Sequence, residues 1–343
     1  MRKILFFVLF SLLLSAQKVE LIKLTQNIKD KRGMTKSLTL IDQRADKVVG
    51  KASRKNVEIE VKFADEDLKS QIVNWFEENN KAKGNTDIVL ILEELKVYDE
   101  QDPDQKNIYG KAKIKISSFI KRNDRYYFLD RFDNIIVSDP QRTSSVPGYL
   151  ADIISDILSQ FINLSYSSPV SGLVVPENEI GNYNEYLNKN YKAFNNSELK
   201  EGVYKSFKSF YNQEPENDYH IEKNKKGKVV RVKYKEELVP INEIFCYVKA
   251  GKPFLYTPIG FLEMEKDDKG FLIASSRAEL VLKNHTEGMM IGAVAGGVVG
   301  ALIGAAIDSG SNSNRNVIYI GFASKTFCNV YLDSITGAYV FSK

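Results

Sequence analysis

Few residues in this chain have the types and spacing that support catalysis. The sequence contains only two histidines, His220 and His285, and neither lies near a cysteine or another histidine at metal-ligand spacing. A Ser-His-Asp triad would have to use one of them, and no Gly-x-Ser-x-Gly motif is present. We therefore expect no catalytic residue, no metal site and no cofactor, and we interpret both histidines as surface or strand-end residues.

Two groups of acidic residues could bind a cation or orient a substrate. Residues 99–104, DEQDPD, place four carboxylates in one short segment, but their spacing differs from that of an EF-hand and the proline stiffens the loop. Asp42, Arg44 and Asp46 form the second group. We interpret the first group as a solvated loop and the second as a local salt-bridged turn. Neither group predicts an enzyme.

The two cysteines, Cys246 and Cys328, are far apart in the chain. In an oxidising compartment they could form a disulfide bond. Alternatively, they are two small buried thiols that never meet. Both interpretations stay open, because pairing requires a short distance between the two Cα atoms that a sequence does not reveal.

A basic strand precedes Cys246. Along it, Val230, Val232 and Tyr234 alternate with charged residues, so one face is apolar and the other basic. The basic positions in and beside this strand are Lys228, Arg231, Lys233 and Lys235. The alternation predicts a solvated face. The alternative is attraction to anionic lipid, which is worth about 1 kcal/mol per basic residue near a charged surface.

Hydrophobic periodicity in residues 18–165 predicts the elements that would position these side chains. Residues 57–63 alternate as a half-buried strand, and the apolar positions from 68 to 76 recur at helical spacing after Asp65, which we expect to cap the helix. Strands are predicted at 88–97, around 112–116 and at 126–137, followed by a helix that opens at Val146-Pro147. The order β-α-β-β-β-α predicts an α+β domain with helices on one face of an antiparallel sheet.

The sequence IDQRAD at 41–46, with Gly50 after it and a strand, a helix and a meander downstream, resembles small envelope lipoproteins and auxiliary components of lipid-transport systems. The resemblance implies a binding or scaffolding module rather than an enzyme. The chain departs from that group because no cysteine follows its leader to carry a lipid.

Residues 166–182 are rich in serine, proline and glycine, which predicts a linker to a second domain at 183–343. We predict helices at 183–194 and 197–212, the latter capped by Ser197, followed by mainly antiparallel strands. The segment from Gly202 to Pro215, GVYKSFKSFYNQEP, resembles a segment of uncharacterised secreted proteins of Bacteroidetes-type bacteria. That resemblance implies export in a Gram-negative bacterium and implies no activity.

The N-terminus reads MRKILFFVLFSLLLSAQ, with a basic start, an apolar run and small residues at its end. This layout is typical of a secretory signal peptide, so we expect residues 1–16 to be removed and the protein to be periplasmic or attached to an envelope membrane. The net charge of +4 includes two basic residues of this leader. The small excess that remains does not predict a nucleic-acid partner.

The segment GMMIGAVAGGVVGALIGAAID carries no charged residue between Glu287 and Asp308. Its glycines repeat every four residues, at Gly288, Gly292, Gly296, Gly300 and Gly304. A helix over 288–307 would be about 30 Å long, which matches the apolar thickness of a bilayer, and its small residues would let two helices pack closely. The segment therefore predicts a glycine zipper, and a transmembrane helix is one form it could take.

The flanking sequence complicates a simple membrane crossing. Both sides read as strands that belong to one sheet, and each side carries one cysteine, so a single crossing would split the domain. A helical hairpin, or burial within the protein, stays open. Our first hypothesis is a non-enzymatic cell-envelope protein that associates with a membrane, self-associates through the glycine zipper and binds or scaffolds envelope proteins or lipid. The alternative is a soluble secreted ligand-binding module that buries the glycine segment in its own core.

Overall fold

The structure is a computed structural model of the chain. It describes residues 18–81, 84–101, 108–138, 143–280 and 324–342, together with two short strands at Ala293–Val294 and Gly297–Val298. The fold is α+β, as the sequence predicts, and strands outweigh helices.

An eight-stranded sheet forms the first half of the chain. Its strands are β1 (Val19–Ile22), β2 (Thr35–Asp42), β3 (Gly50–Arg54), β4 (Val57–Phe63), β5 (Thr86–Gln101), β6 (Ile108–Arg122), β7 (Arg125–Val137) and β8 (Val174–Pro176). The order across the sheet is β1-β4-β3-β5-β6-β7-β8, and β2 pairs with β5. Strands β1, β2 and β3 precede β4 and the first helix, so the sheet has more strands ahead of that helix than the predicted order β-α-β-β-β-α contains. The sheet is mixed, since β1 runs parallel to β4 and β2 parallel to β5.

The first helix, α1 (Leu68–Asn79), buries the predicted apolar stripe of Leu68, Ile72, Trp75 and Phe76. Its N-cap is Asp67, whose side chain accepts a hydrogen bond from the backbone N–H of Ser70 at 3.1 Å, so the prediction of Asp65 as the cap is wrong. Asp65 instead accepts from the N–H of Asp67 at 3.0 Å and shapes the turn before the helix.

The second helix, α2 (Val146–Ser165), confirms the predicted start at Val146-Pro147. All six predicted core positions are buried: Leu150, Ile153, Ile154, Ile157, Leu158 and Phe161. Helices α1 and α2 bury their apolar side chains in one core cluster with the same face of the sheet. The opposite face carries a smaller core and a polar network, described below.

Small antiparallel sheets dominate the second half of the described chain. A three-stranded sheet contains β10 (Tyr219–Lys223), β11 (Val229–Tyr234) and β12 (Glu237–Val239). A four-stranded sheet contains β9 (Gly202–Tyr204), β13 (Cys246–Lys249), β14 (Lys252–Thr257) and β15 (Gly260–Glu263). Another contains β16 (Glu265–Asp267), β17 (Gly270–Ser276), β20 (Phe327–Leu332) and β21 (Tyr339–Phe341).

Short helices connect these sheets. They are α3 (Tyr183–Asn188), α4 (Lys192–Asn195), α5 (Phe207–Tyr211) and α6 (Arg277–Leu280), with 3-10 turns at Glu177–Asn182 and Ile241–Glu243. The prediction of one helix over 197–212 is wrong. Gly202, with φ of +135°, begins strand β9 there, and the helix that follows has only five residues and is capped by Ser206. Pairing of β9 with β13 outweighs the local helical pattern.

One hydrophobic core continues from the eight-stranded sheet into the second half of the chain. It includes a group of aromatic rings in contact, among them Tyr211 and Phe271, whose centroids lie 5.9 Å apart. Residues 166–182, predicted as a linker, include the edge strand β8, which pairs with the start of β7. The predicted linker therefore contributes an edge strand to the large sheet, and one core spans both halves of the chain.

The five glycines of the predicted zipper lie outside the described residues, as does His285. Within that segment, strands β18 (Ala293–Val294) and β19 (Gly297–Val298) pair antiparallel. Over the part of the chain that the structure describes, no helix is both long and apolar enough to cross a membrane.

Candidate functional site

A buried ionic network centred on Arg131 of β7 contains several titratable residues whose pKa values are shifted. The guanidinium of Arg131 forms a salt bridge of 3.0 Å with Asp333, and the side chains of both are about 95% or more buried. Arg131 also donates to the hydroxyls of Ser117 at 3.0 Å and Tyr183 at 2.8 Å. The network joins the sheet, helix α3 and the C-terminal turn.

A second carboxylate completes this network from strand β5. Glu93 lies at a β-bulge between Leu92 and Glu94, accepts a hydrogen bond from Tyr183 and pairs with Lys115 at 3.2 Å. Burial alone would lower the pKa of Arg131, but the charges of Asp333, Tyr183 and Glu93 outweigh it and raise that pKa. The guanidinium therefore stays charged and cannot act as a general acid or base.

The turn after β20 holds Asp333 in place. One carboxylate oxygen of Asp333 accepts hydrogen bonds from the N–H groups of Ile335 at 2.9 Å and Thr336 at 2.7 Å, while the other meets Arg131. Burial would raise the pKa of Asp333, but the Arg131 charge and these hydrogen bonds lower it below the ordinary value. With every group in the network satisfied, its role is to fasten the C-terminal hairpin to the large sheet.

Two further contacts fasten the same hairpin. The side-chain amide of Asn134 donates to the carbonyl of Tyr339 at 2.8 Å and accepts from the N–H of Phe341 at 3.2 Å, so it bridges β7 and β21 as a backbone group would. Arg277 donates to the carbonyl of Ile135 at 2.9 Å and lies over the ring of Phe341. Burial lowers the pKa of Arg277 to about 10.

An open cleft of about 620 Å³ lies between residues 196–201 and the turn at 250–252. Its floor is apolar, since Pro253, Met264 and Phe271 are buried there. Lys266 lies at its rim and donates to the carbonyls of Ala193 at 3.0 Å and Phe194 at 2.7 Å. Burial lowers the pKa of this lysine below its ordinary value.

This cleft could hold a small molecule with an apolar body and a polar group near Lys266. Of its acidic residues, Glu201 has a structural partner, since it accepts from the N–H of Ala250 at 2.7 Å. The cleft is not part of the Arg131 network. Across the described ranges, no group of three or more His, Cys, Asp or Glu side chains could hold a metal ion.

The predicted basic strand is β11, and its outward face is largely neutralised. Lys233 pairs with Glu222 of β10 at 2.9 Å, and Arg231 lies 3.9 Å from the same carboxylate. Lys235 lies over the ring of Tyr234. Lys228 belongs to the turn before the strand.

The two cysteines are thiols in the structure rather than a disulfide. Cys246 lies on β13 and is completely buried, whereas Cys328 lies on β20 in a different sheet and is partly exposed. Each thiol packs on the continuous core from its own sheet, and Cys246 is buried as the second interpretation expects, whereas Cys328 is only partly buried.

The predicted salt-bridged turn is confirmed in part. Arg44 pairs with Asp42 at 2.8 Å, while Asp46 pairs with Lys96 of β5 instead. In the acidic segment, Asp99 accepts from the N–H of Ser53 at 2.8 Å, and residues 102–104 lie outside the described chain. His220 is an exposed residue of β10.

The Arg131 network was not predicted from the sequence, although the sequence of strand β7 indicates buried charges. Strand β7 reads RYYFLDRFDNIIV, in which Asp130 and Arg131 interrupt an apolar run that would otherwise be buried on both faces. Charged residues at such positions indicate buried pairing. The partner, Asp333, could not be identified, because 202 positions separate the two residues.

Comparisons of the chain with protein-family models, with curated proteins and with solved structures find no significant match.

Proposed function

We propose that this is an exported, non-enzymatic protein of a Gram-negative cell envelope. In this proposal residues 288–307 attach it to a membrane and let copies associate through the glycine face, while the folded body binds or scaffolds other envelope components. The leader and the uncharged glycine-rich segment support this proposal.

One structural observation carries the proposal furthest. Strand β17, before the glycine segment, pairs antiparallel with β20, after it. At the end of that ladder the N–H of Ala278 donates to the carbonyl of Ser324 at 3.1 Å. The described residues on the two sides of segment 281–323 therefore lie close together in one sheet.

This geometry limits how the segment can meet a membrane. A single crossing would place β20 on the opposite side from β17, and the backbone hydrogen bonds between them could not form. Attachment in which the segment enters and leaves the bilayer from one side keeps both strands in one sheet. Packing of glycine faces between copies is compatible with that arrangement, because it requires close approach rather than a full span.

The alternative is a soluble secreted module that binds a small ligand. The cleft beside Lys266 favours it, because it combines an apolar floor with a polar rim. In that case the glycine segment would be buried within the protein.

Because the residues that flank the segment lie close together, the segment can be replaced by a short linker as a direct test. Replacing residues 281–323 by a short Gly-Ser linker should leave β17 and β20 paired as a simple hairpin, and far-UV circular dichroism with a thermal midpoint checks the fold. The shortened protein should be released from membranes by alkaline carbonate and should be monomeric by light scattering. The unmodified protein should stay with the membrane and form oligomers.

A second variant separates attachment from association. Gly296→Leu with Gly300→Leu keeps the segment apolar but fills the small-residue face, so it should retain membrane association and lose oligomers. If the unmodified protein washes off with carbonate as readily as the shortened one, membrane attachment is refuted. If the leucine variant forms the same oligomers, packing through the glycine face is refuted.

A further inference from the structure

The three-stranded sheet β10-β11-β12 concentrates the positive charge of the protein. Residues 219–239 contain six lysines and one arginine against three glutamates, a net charge of +4. The whole chain has the same net charge of +4, so the rest of the protein is neutral overall. A potential that attracts anions should therefore be centred on this sheet.

Within the sheet, the charges on the strand face are paired. Glu222 bonds Lys233 and lies near Arg231, and these cations lower the pKa of the glutamate. Lys233 is also 3.9 Å from Glu236. The face of β11, which the sequence suggests as the lipid-facing surface, thus carries its own counter-charges.

The turn between β10 and β11 is different. Lys225, Lys226 and Lys228 have no carboxylate partner among the described residues, and all three side chains are exposed. The turn is held in one shape by Asn224, whose side-chain oxygen accepts from the N–H groups of Lys226 at 2.9 Å and Lys228 at 3.0 Å. Gly227, with φ of +75°, completes it.

The turn projects from an anchored base. The inner face of the sheet packs through Val232 on Tyr247 in a separate core cluster. Lys223, the last residue of β10, lies over the rings of Phe254 at 4.9 Å and Tyr247 at 5.3 Å. The basic turn is therefore anchored at its root and exposed to solvent at its tip.

One exposed apolar side chain lies beside the unpaired lysines, since Val230 follows the turn and is 47% exposed. Leu238 is 68% exposed but lies opposite Lys233, away from the turn. Lysines act as diffuse point charges rather than as bidentate clamps, and lysines beside exposed aliphatic groups suit a headgroup layer above hydrocarbon better than a defined phosphate pocket.

We propose that the turn from Asn224 to Lys228 binds the anionic headgroups of a lipid bilayer, with Lys225, Lys226 and Lys228 as the contacting residues. The paired Arg231 and Lys233 stay on the protein's own glutamates. The inference rests on the membrane association proposed above, but it concerns only the gain in binding that anionic lipid provides.

The test measures partitioning of the chain without its leader into two vesicle types. One contains only phosphatidylcholine, and the other contains phosphatidylcholine with about 30% phosphatidylglycerol. Each lysine near an anionic surface raises partitioning about fivefold, so K225E/K226E/K228E should lower binding to the anionic vesicles at least about 100-fold. Binding to the neutral vesicles should be unchanged, and 0.5 M NaCl should remove most of the anionic gain for the unmodified chain.

A matched control changes the same amount of charge elsewhere. K29E/K31E/K62E alters three exposed lysines of the first half of the chain and should keep most of the anionic gain. Equal losses in the two triple variants would mean that total charge matters rather than the turn, and would overturn the proposal. No preference of the unmodified chain for anionic vesicles would overturn it as well.

The two proposals fail separately. Binding to neutral vesicles without an anionic gain sinks this inference and leaves attachment by the glycine segment standing. An anionic gain that the turn variant abolishes, without any binding to neutral vesicles, supports this inference and counts against that attachment. K225Q/K226Q/K228Q, which cannot introduce repulsion between new glutamates and lipid, should show a smaller loss of the same kind.

Discussion

We expect Asp130 to make the stability of this protein depend on pH near neutrality. Its carboxyl is 4% exposed on β7 and accepts one described hydrogen bond, from the backbone N–H of Arg131 at 2.7 Å. The residue opposite it in the register, Ser118, has a buried hydroxyl without a partner in the described structure. Burial is the main cause that raises the pKa of Asp130 to about 7. The nearby charge of Asp333 adds to this rise, and the hydrogen bond from the Arg131 N–H reduces it.

The sign follows from the proton bound in each state. Between about pH 4 and pH 7 the folded protein keeps this proton and the unfolded chain, with an ordinary aspartate, has lost it. The stabilisation that the protonated Asp130 carboxyl gives the folded state, relative to its ionised form, is thus complete below about pH 4 and is lost as the pH rises to about 7. At about 1.4 kcal/mol per pH unit, the free energy of unfolding should fall by about 4 kcal/mol across this interval. Asp333, whose pKa is lowered, acts in the opposite direction and at lower pH.

Asp130→Asn should remove this dependence, because an amide is neutral at every pH and keeps an acceptor for the Arg131 N–H. We expect the variant to be more stable than the unmodified protein by about 2–4 kcal/mol at pH 8, and to differ by less than about 1 kcal/mol at pH 4. Urea unfolding of both proteins from pH 4 to pH 8 gives the difference directly. A constant difference across that range would refute the raised pKa and the uncompensated burial behind it.

Three other perturbations follow from the contacts that fasten the C-terminal hairpin and from the core. Arg131→Met or Asp333→Asn should each destabilise the protein by about 3–5 kcal/mol, because the charge of the remaining partner stays buried without a counter-ion. The double variant should lose less free energy of unfolding than the sum of the two single losses. Urea titrations of the unmodified protein and the three variants measure these differences. Gly337→Ala should cost about 2 kcal/mol or more, because Gly337 has φ of +70° and an added Cβ would lie 2.5 Å from an aromatic ring of α5; an unchanged thermal midpoint would contradict this. A thiol reagent should modify Cys328 in the native protein and reach Cys246 only after unfolding, whereas absence of any reaction in denaturant without reductant would indicate a disulfide.

Periodic patterns predicted the parts of the fold that a single buried face determines. Helix α2 repeats apolar residues along one stripe, and β4 alternates Val57, Ile59, Val61 and Phe63 against polar residues. Such patterns state which face is buried without naming what covers it. Strands β5 and β6 are longer than predicted, because pairing continues past the apolar residues that mark their centres, whereas β7 agrees with its prediction to within one residue.

Elements that depend on distant partners could not be predicted in the same way. Residues 197–212 have the composition of a helix, yet Gly202 to Tyr204 are held extended by β13, about forty positions downstream. The Arg131 network joins five separate segments of the chain. Apart from the charged pair in β7, the sequence around each of its residues has no pattern that indicates a buried ionic contact. The pairing of Glu222 with the basic residues of β11 could not be predicted either, because it depends on the register of the β10–β11 hairpin.

The pairing of Arg131 with Asp333 also makes folding of the large sheet wait for the C-terminal hairpin. Arg131 is synthesised 202 positions before its counter-charge, and Asn134 holds β21 through two hydrogen bonds. A polypeptide that stops before Asp333 would have to bury a guanidinium without a counter-ion, or leave β7 open to solvent. Chains truncated at that point should therefore fail to fold and be degraded, and β7 can reach its final packing only after the hairpin has been synthesised.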